Sequence, residues 1–113
     1  MANLYHCRLY GILDLGHVSQ DAVISVAEEL VAGGVDILQL RAKGHAKEDI
    51  AAMARKVLPV TRGSQVPLII NDHPDIALEV EAEGVHVGQD DDSVAAARAI
   101  VGDEMIVGKS THS

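Results

Sequence analysis

Aromatic side chains are almost absent from this sequence: they make up 2% of its 113 residues, and both Phe and Trp are missing. Hydrophobic residues nevertheless account for 48% of the chain, which is the composition of a globular protein and excludes a disordered one. A chain of this length fits one domain with a modest core. That core must be built from Val, Ile, Leu and Ala, a set that suits β-strands packed under alanine-rich helices.

The sequence also lacks an excess of positive charge, with nine Lys and Arg against seventeen Asp and Glu. Nucleic-acid binders need a basic face and often aromatic stacking platforms, so we expect no nucleic-acid partner. No apolar run approaches the roughly 20 residues of a membrane span, and residues 1–9 contain no signal-peptide core, so we expect no membrane partner. The single cysteine, Cys7, forms no disulfide framework, which favours a reduced, cytoplasmic protein.

Short apolar runs alternate with amphipathic helical stretches. The predicted strands are Leu9–Leu13, Val35–Leu40, Pro67–Ile70, Val85–Val87 and Met105–Val107. The predicted helices begin after an N-cap at Ser19, cover Glu48–Leu58, run from Pro74 to about Val80, and run from an N-cap at Ser93 to about Val101. Glycines Gly33, Gly34 and Gly102 end two of them.

This alternation predicts an α/β fold of parallel (β/α) units, TIM-barrel-like, with about five strands and four helices. A complete (β/α)₈ barrel needs roughly 200 residues or more, so we expect residues 1–113 to form a single partial TIM-barrel domain. Open sheet edges would have to be hidden by pairing, which predicts a homo-oligomer.

Polar residues cluster where the predicted strands end. Arg41 and Lys43 follow the second strand, Asn71 and Asp72 the third, Gln89, Asp90 and Asp91 the fourth, and Ser110 the fifth. Ligand sites of parallel α/β folds lie at these carboxyl ends, so the loops converge on one face. Arg and Lys suit phosphate oxygens, and paired carboxylates with substrate phosphates suit Mg²⁺. The residues therefore predict a phosphorylated ligand and a magnesium ion.

Four segments resemble thiamine phosphate synthase in their order and spacing. They are Gln-Leu-Arg-Ala-Lys (39–43), Ile-Ile-Asn-Asp-His (69–73), Gly-Val-His-Val-Gly-Gln-Asp-Asp (84–91) and Gly-Lys-Ser-Thr-His-Ser (108–113). The family couples hydroxymethylpyrimidine diphosphate with hydroxyethylthiazole phosphate to give thiamine phosphate and pyrophosphate. The resemblance covers about the first half of the family's length, so we expect this chain alone to lack the loops for the thiazole phosphate.

The resemblance also implies residue roles. Substrate contacts fall to Gln39, Arg41, Lys43, Asn71 and Ser110, of which Arg41, Lys43 and Ser110 are the implied catalytic residues. The implied Mg²⁺ ligands are Asp72 and Asp91. Two positions depart from the family pattern: His73 stands where Arg is common, and Lys109 stands where an apolar residue is usual.

Simpler roles compete with these. Arg41 and Lys43 read alone are ordinary surface charges, and Asp72 or His73 suits the cap of the helix that begins at Pro74. Asp90 or Asp92 suits a helix start, with Asp91 facing the site. His86, between two valines, is interpreted as a structural histidine.

Three other functions remain open. A thiazole tautomerase resembles the synthase but has no use for a diphosphate-bound metal. A response-regulator receiver domain also has five parallel strands and uses acids and a lysine at positions that Asp14, Asp72 and Lys109 imitate. A non-catalytic relative could bind a phosphorylated ligand or assemble with its own copies.

Overall fold

A computed structural model describes residues 10–16, 19–87, 91–102 and 105–109. Within these residues, five strands alternate with four α-helices. The strands are β1 (Tyr10–Asp14), β2 (Ile37–Arg41), β3 (Leu68–Asn71), β4 (Gly84–Val87) and β5 (Ile106–Lys109). The helices are α1 (Val23–Ala32), α2 (Lys47–Gly63), α3 (Pro74–Val80) and α4 (Asp91–Val101), and a 3₁₀ turn at Gln20–Ala22 precedes α1. None of the described helices combines the length and apolar character needed to cross a bilayer.

All five strands are parallel, and each lies beside the strand that precedes it in the chain. The predicted α/β fold of TIM-barrel-like (β/α) units is therefore confirmed, and the described strands form an open arc of such a barrel. A receiver domain has the strand order 2-1-3-4-5. The sequential order found here excludes that alternative.

The outer face of the sheet is the one that packs against the helices. One row of strand partners crosses it from β1 to β5: Leu13, Leu40, Ile70, Val85 and Val107. The first four are at most 1% exposed, and all five join the hydrophobic cluster that the helices complete. The core predicted from Val, Ile, Leu and Ala lies here, between the sheet and its helices.

The inner face is the opposite side of the same strands, where side chains alternate with those of the outer face. Its matching row of partners is Ile12, Gln39, Ile69, Gly84 and Ile106. Ile12 and Ile106, on the two outermost strands, are 52% and 49% exposed, while Gln39 and Ile69 on the central strands are buried. On the inner face, side chains of the central strands β2 and β3 are therefore buried, and those of the outermost strands β1 and β5 are half exposed.

The predicted cap of α1 is wrong. A 3₁₀ turn precedes the helix, and the backbone N–H of Ala22 donates to the carbonyl oxygen of Ser19 at 3.0 Å. The N-cap position belongs to Ala22, which has no side-chain oxygen. Ser19 therefore precedes the 3₁₀ turn and contributes its backbone carbonyl, and the α-helix itself begins about one turn later than predicted. The predicted stop is confirmed, because Gly33 is the C-cap and Gly34 has a φ of +94°.

The predicted end of α2 at Leu58 is also wrong. The helix continues through Pro59 to Gly63, although proline removes one backbone hydrogen bond. Its buried stripe continues from Leu58 to Thr61, which is fully buried and donates its hydroxyl to the Leu58 carbonyl at 3.1 Å. Burial of this extra turn offsets the bond lost at the exposed proline.

The start of α4 differs from the prediction as well. The helix begins at Asp91, so Ser93 lies inside its first turn and does not precede it. The end at Val101 is as predicted, since Gly102 follows with a φ of +85°.

Candidate functional site

The carboxyl ends of the strands bring the predicted residues to one edge of the sheet. Arg41 is the last residue of β2 and Asn71 is the last residue of β3. Each strand therefore ends one residue later than predicted and includes its site residue. Asp72 comes directly after β3, and Lys43 lies exposed in the turn after β2. The structure therefore places these four residues at the edge where ligands of parallel α/β folds bind.

Four of the residues at this edge lie on the inner face, and we call them the upper inner row: Asp14, Arg41, Asn71 and His86. Asp14 pairs with Arg41 across β1 and β2, and Asn71 pairs with His86 across β3 and β4. Arg41 and Asn71 each come one residue after the partners Leu40 and Ile70. Because neighbouring strands are about 4.8 Å apart, the row spans roughly 14 Å.

Gln39 lies below this row in the middle of the inner face and is 4% exposed. Its Nε2 donates a hydrogen bond to the hydroxyl of Tyr10 at 2.8 Å. A buried carboxamide needs such partners, because desolvating it without a hydrogen bond is costly. The bond orients the amide of a residue that the sequence assigns to the substrate.

Arg41 faces an acidic partner on the neighbouring strand. Its Nε is 3.9 Å from Oδ2 of Asp14, and its carbonyl oxygen accepts the N–H of Leu15 at 2.9 Å. The other carboxylate oxygen of Asp14 accepts the N–H of Gly16 at 2.8 Å. Both side chains are about one-third exposed, so the guanidinium has an acidic neighbour within ion-pair distance on one side and remains accessible to a ligand.

Asn71 is the buried polar group of the upper inner row, at 6% exposure. Within the described part of the chain, no hydrogen bond satisfies its carboxamide. An unsatisfied buried amide costs about 1–3 kcal/mol, and such exceptions need an explanation. A ligand that bonds to this amide would provide one.

Asp72 has an unusual backbone, with a φ of +67°. Only a few per cent of residues other than glycine adopt this conformation, although Asp tolerates it better than most. Its N–H donates to the carbonyl oxygen of His86 at 2.7 Å, which fixes the turn after β3. The predicted cap of α3 is confirmed in position, because His73 is the N-cap, although its side chain makes no cap hydrogen bond within the described part of the chain.

Two predicted site residues remain, Asp91 and Ser110. Asp91 is the first residue of α4, directly after the loop that follows β4, but its side chain lies outside the described part of the chain. Ser110 lies outside the described residues altogether, one position after β5. The metal role of Asp91 and the catalytic role of Ser110 stay predictions.

The charges of four described residues at this edge balance. Arg41 and Lys43 contribute two positive charges, and Asp14 and Asp72 contribute two negative charges. A diphosphate therefore gains little from this group alone, and an added cation would change that. No cluster of three or more His, Cys, Asp or Glu side chains able to hold a metal occurs among the described residues.

Sequence reasoning gave no ligand role to two members of the upper inner row, Asp14 and His86. His86 was interpreted as structural because valines flank it, yet those valines lie on the outer face and its own side chain lies on the inner one. Asp14 was considered only as an imitation of a receiver acid. The period-2 alternation of each strand was the signal that assigns both residues to the inner face.

Comparison with known proteins agrees with this geometry. Residues 9–113 match the family model of thiamine monophosphate synthase. The thiamine-phosphate synthase of Halalkalibacterium halodurans is 44% identical over 93% of this chain, and that of Azorhizobium caulinodans is 44% identical over the full chain. The structure of a thiamine phosphate pyrophosphorylase from Pyrococcus furiosus superposes on 94% of the chain, with a TM-score of 0.77 and 27% identity.

The chain spans about half the length of these relatives: 50% and 53% of the two synthases and 50% of the solved structure. The family model nevertheless matches nearly all the residues of this chain. The chain belongs to the thiamine monophosphate synthase family.

Proposed function

We propose that this chain provides the diphosphate-binding and magnesium-binding half of a thiamine phosphate synthase. The enzyme, a cytoplasmic transferase, would couple hydroxymethylpyrimidine diphosphate with hydroxyethylthiazole phosphate to give thiamine phosphate and pyrophosphate. The observation that carries the proposal is the upper inner row, in which partly exposed Arg41 and buried Asn71, whose carboxamide has no hydrogen-bond partner among the described residues, lie at the carboxyl edge of the sheet.

The donor set fits Mg²⁺. This ion prefers oxygen ligands and is usually held by one or two carboxylates together with substrate phosphates. Asp72 is exposed on the turn after β3, and Asp91 begins the helix after the adjacent strand β4. Bound there, Mg²⁺ would neutralise diphosphate charge, which the balanced charges of the four described residues do not.

The chain's own residues would act by positioning and electrostatics. Arg41 and Lys43 would bind diphosphate oxygens, and the carboxamides of Gln39 and Asn71 would orient the pyrimidine diphosphate. The bond between the pyrimidine methylene carbon and the diphosphate oxygen breaks, and its electron pair leaves with pyrophosphate. The thiazole nitrogen then attacks the methylene carbon. The positive groups stabilise the departing charge, so this step needs no general base.

In the family's enzymes, the thiazole phosphate would bind to the part of the barrel that this chain does not span. Tyr10, Ile12 and Ile106 leave apolar surface on both sides of the inner face, at 43%, 52% and 49% exposure. Such surface favours burial against a partner, and we propose that the isolated chain forms a homo-oligomer. Light scattering tests this proposal, and a monomer at micromolar concentration would contradict it.

Calorimetric titration with pyrophosphate, with and without Mg²⁺, tests the proposed function. The expected result is binding that depends on the metal and is lost in Asp91→Ala while the fold is kept. A matched control is Glu28→Gln. It removes one negative charge from an exposed position on α1, close to the C-terminal end of α2 and away from the carboxyl edge of the sheet. Equal pyrophosphate affinity in Asp91→Ala and Glu28→Gln would refute the metal assignment.

A further inference from the structure

Asp14 is a carboxylate beside a site proposed to bind an anion, which is an unfavourable place for negative charge. It lies directly opposite Arg41 in the ladder of β1 and β2. Near a diphosphate, an acid at this position weakens the local positive potential. Its presence in the upper inner row therefore needs a reason other than anion binding.

Both oxygens of the Asp14 carboxylate already have partners. Oδ1 accepts the N–H of Gly16 at 2.8 Å, and Oδ2 lies 3.9 Å from Nε of Arg41. The Gly16 bond spans two residues, the arrangement in which an aspartate side chain orders its own turn. One oxygen thus fixes the carboxylate to the backbone, and the other faces the guanidinium.

Gly16 makes this arrangement possible. A Cβ atom at Gly16 would lie 3.2 Å from Oδ1 of Asp14, closer than ordinary van der Waals contact. A larger residue at this position would require the carboxylate to shift by a few tenths of an ångström. The turn after β1 is therefore shaped around the Asp14 side chain.

We propose that Asp14 is a positioning residue for Arg41, and this inference rests on the proposed function. Arg carries about 2 kcal/mol of rotamer entropy, part of which must be lost when it binds a phosphate. Asp14 holds Nε from the side and leaves the terminal nitrogens to the diphosphate. It thereby reduces the ordering cost of binding at the expense of some electrostatic attraction.

The two effects of Asp14 have opposite signs, which makes the proposal testable. In Asp14→Asn the removed negative charge alone would strengthen binding of Mg²⁺-pyrophosphate. Loss of positioning should outweigh this and weaken the affinity by roughly threefold to tenfold, the range for ordering one rotamer-rich side chain. Gly16→Ala should weaken it in the same direction although it alters no charge.

The experiment combines calorimetry with nitrogen-15 relaxation of the Arg41 Nε–H group in the ligand-free chain. We expect greater mobility of this group in Asp14→Asn and Gly16→Ala, with thermal melts showing that both variants fold. Adding Asp14→Asn to Arg41→Met should cause no further loss of affinity, because only the charge effect remains in that background and it favours binding. Glu28→Gln should leave both readouts at their wild-type values.

Unchanged or tighter binding in Asp14→Asn, or additive losses in the double variant, would overturn the positioning role. A wild-type chain that binds no Mg²⁺-pyrophosphate would overturn the proposed function instead. In that case the relaxation data still decide the positioning claim, since equal Arg41 mobility in wild type and Asp14→Asn would refute it.

Discussion

The two faces of the sheet carry different tasks. The outer face is apolar from strand to strand and is sealed by the helices, with Leu13, Ile70 and Val85 fully buried. The inner face mixes exposed isoleucines with polar residues, and its upper row holds Asp14, Arg41, Asn71 and His86. Apolar burial is therefore concentrated on one side of the strands and the side chains proposed to bind a ligand lie on the other, so substitutions on the two faces should have separable effects.

The largest difference should appear between matched isoleucines. Ile70→Ala removes a fully buried side chain from the outer face and should lower the free energy of unfolding by about 2–5 kcal/mol. Ile12→Ala removes a half-exposed side chain from the inner face and should cost roughly 1 kcal/mol or less. Urea unfolding measures both, and equal losses would break the comparison.

Two strand glycines give a smaller contrast. A Cβ at Gly84, on the inner face, would lie 2.8 Å from both the Cβ and the carbonyl oxygen of Ile106. Because that neighbour includes backbone, Gly84→Ala should cost about 1–3 kcal/mol. A Cβ at Gly11, on the outer face, would meet only side-chain atoms of Val35 and Leu38, the nearest at 2.9 Å. These can rotate, so Gly11→Ala should cost less in the same unfolding assay, and the reverse order would contradict this packing.

The smallest effect should come from the ion pairs outside the sheet. Lys47 Nζ donates to Asp75 Oδ2 at 2.8 Å, and this hydrogen bond holds the pKa of Asp75 below its usual value. A carboxyl group with a lowered folded pKa stabilises the protein above its unfolded pKa, near 3.9, and loses that contribution as the pH falls through the folded pKa. Both side chains are about half exposed or more, so screening limits the effect to a few tenths of a kcal/mol, roughly.

Lys47→Met should raise the pKa of Asp75 toward its usual value without measurable change in pyrophosphate binding. Carboxyl-carbon NMR during a titration from pH 6 to pH 2 measures the shift. Arg55→Met is a matched control. Arg55 lies on α2, as Lys47 does, and pairs with Glu79 on α3, so its removal should leave the pKa of Asp75 unchanged. An unmoved Asp75 titration in Lys47→Met would contradict the assigned cause.

Much of the fold could be predicted because the apolar runs and the helical stripes differ in period. Strand number, parallel order and the glycine stops followed from local pattern alone. The C-terminal end of α2 and the start of α4 did not: burial of Thr61 carried α2 past the proline at position 59, and α4 begins two residues before Ser93. Local signals of this size, about 1–3 kcal/mol, are easily overridden by packing.

The site was predicted from residue types at strand ends, and the structure places Arg41, Asn71 and Asp72 at one edge of the sheet, with Gln39 below them on the inner face. What sequence reasoning did not provide was the support of the site from β1. Tyr10 contacts Gln39 and Asp14 contacts Arg41 only because the strands pair in a particular register. Register depends on long-range pairing, which a local pattern does not specify.

The most direct test of the central claim is the map of amide chemical-shift changes on adding pyrophosphate and Mg²⁺ to the nitrogen-15-labelled chain. The account predicts changes concentrated at the carboxyl edge, in residues 39–43 and at Asn71 and Asp72, with little change at the opposite edge around Gly63 and Glu83. Changes centred on that opposite edge, or spread evenly over the outer helices, would contradict it.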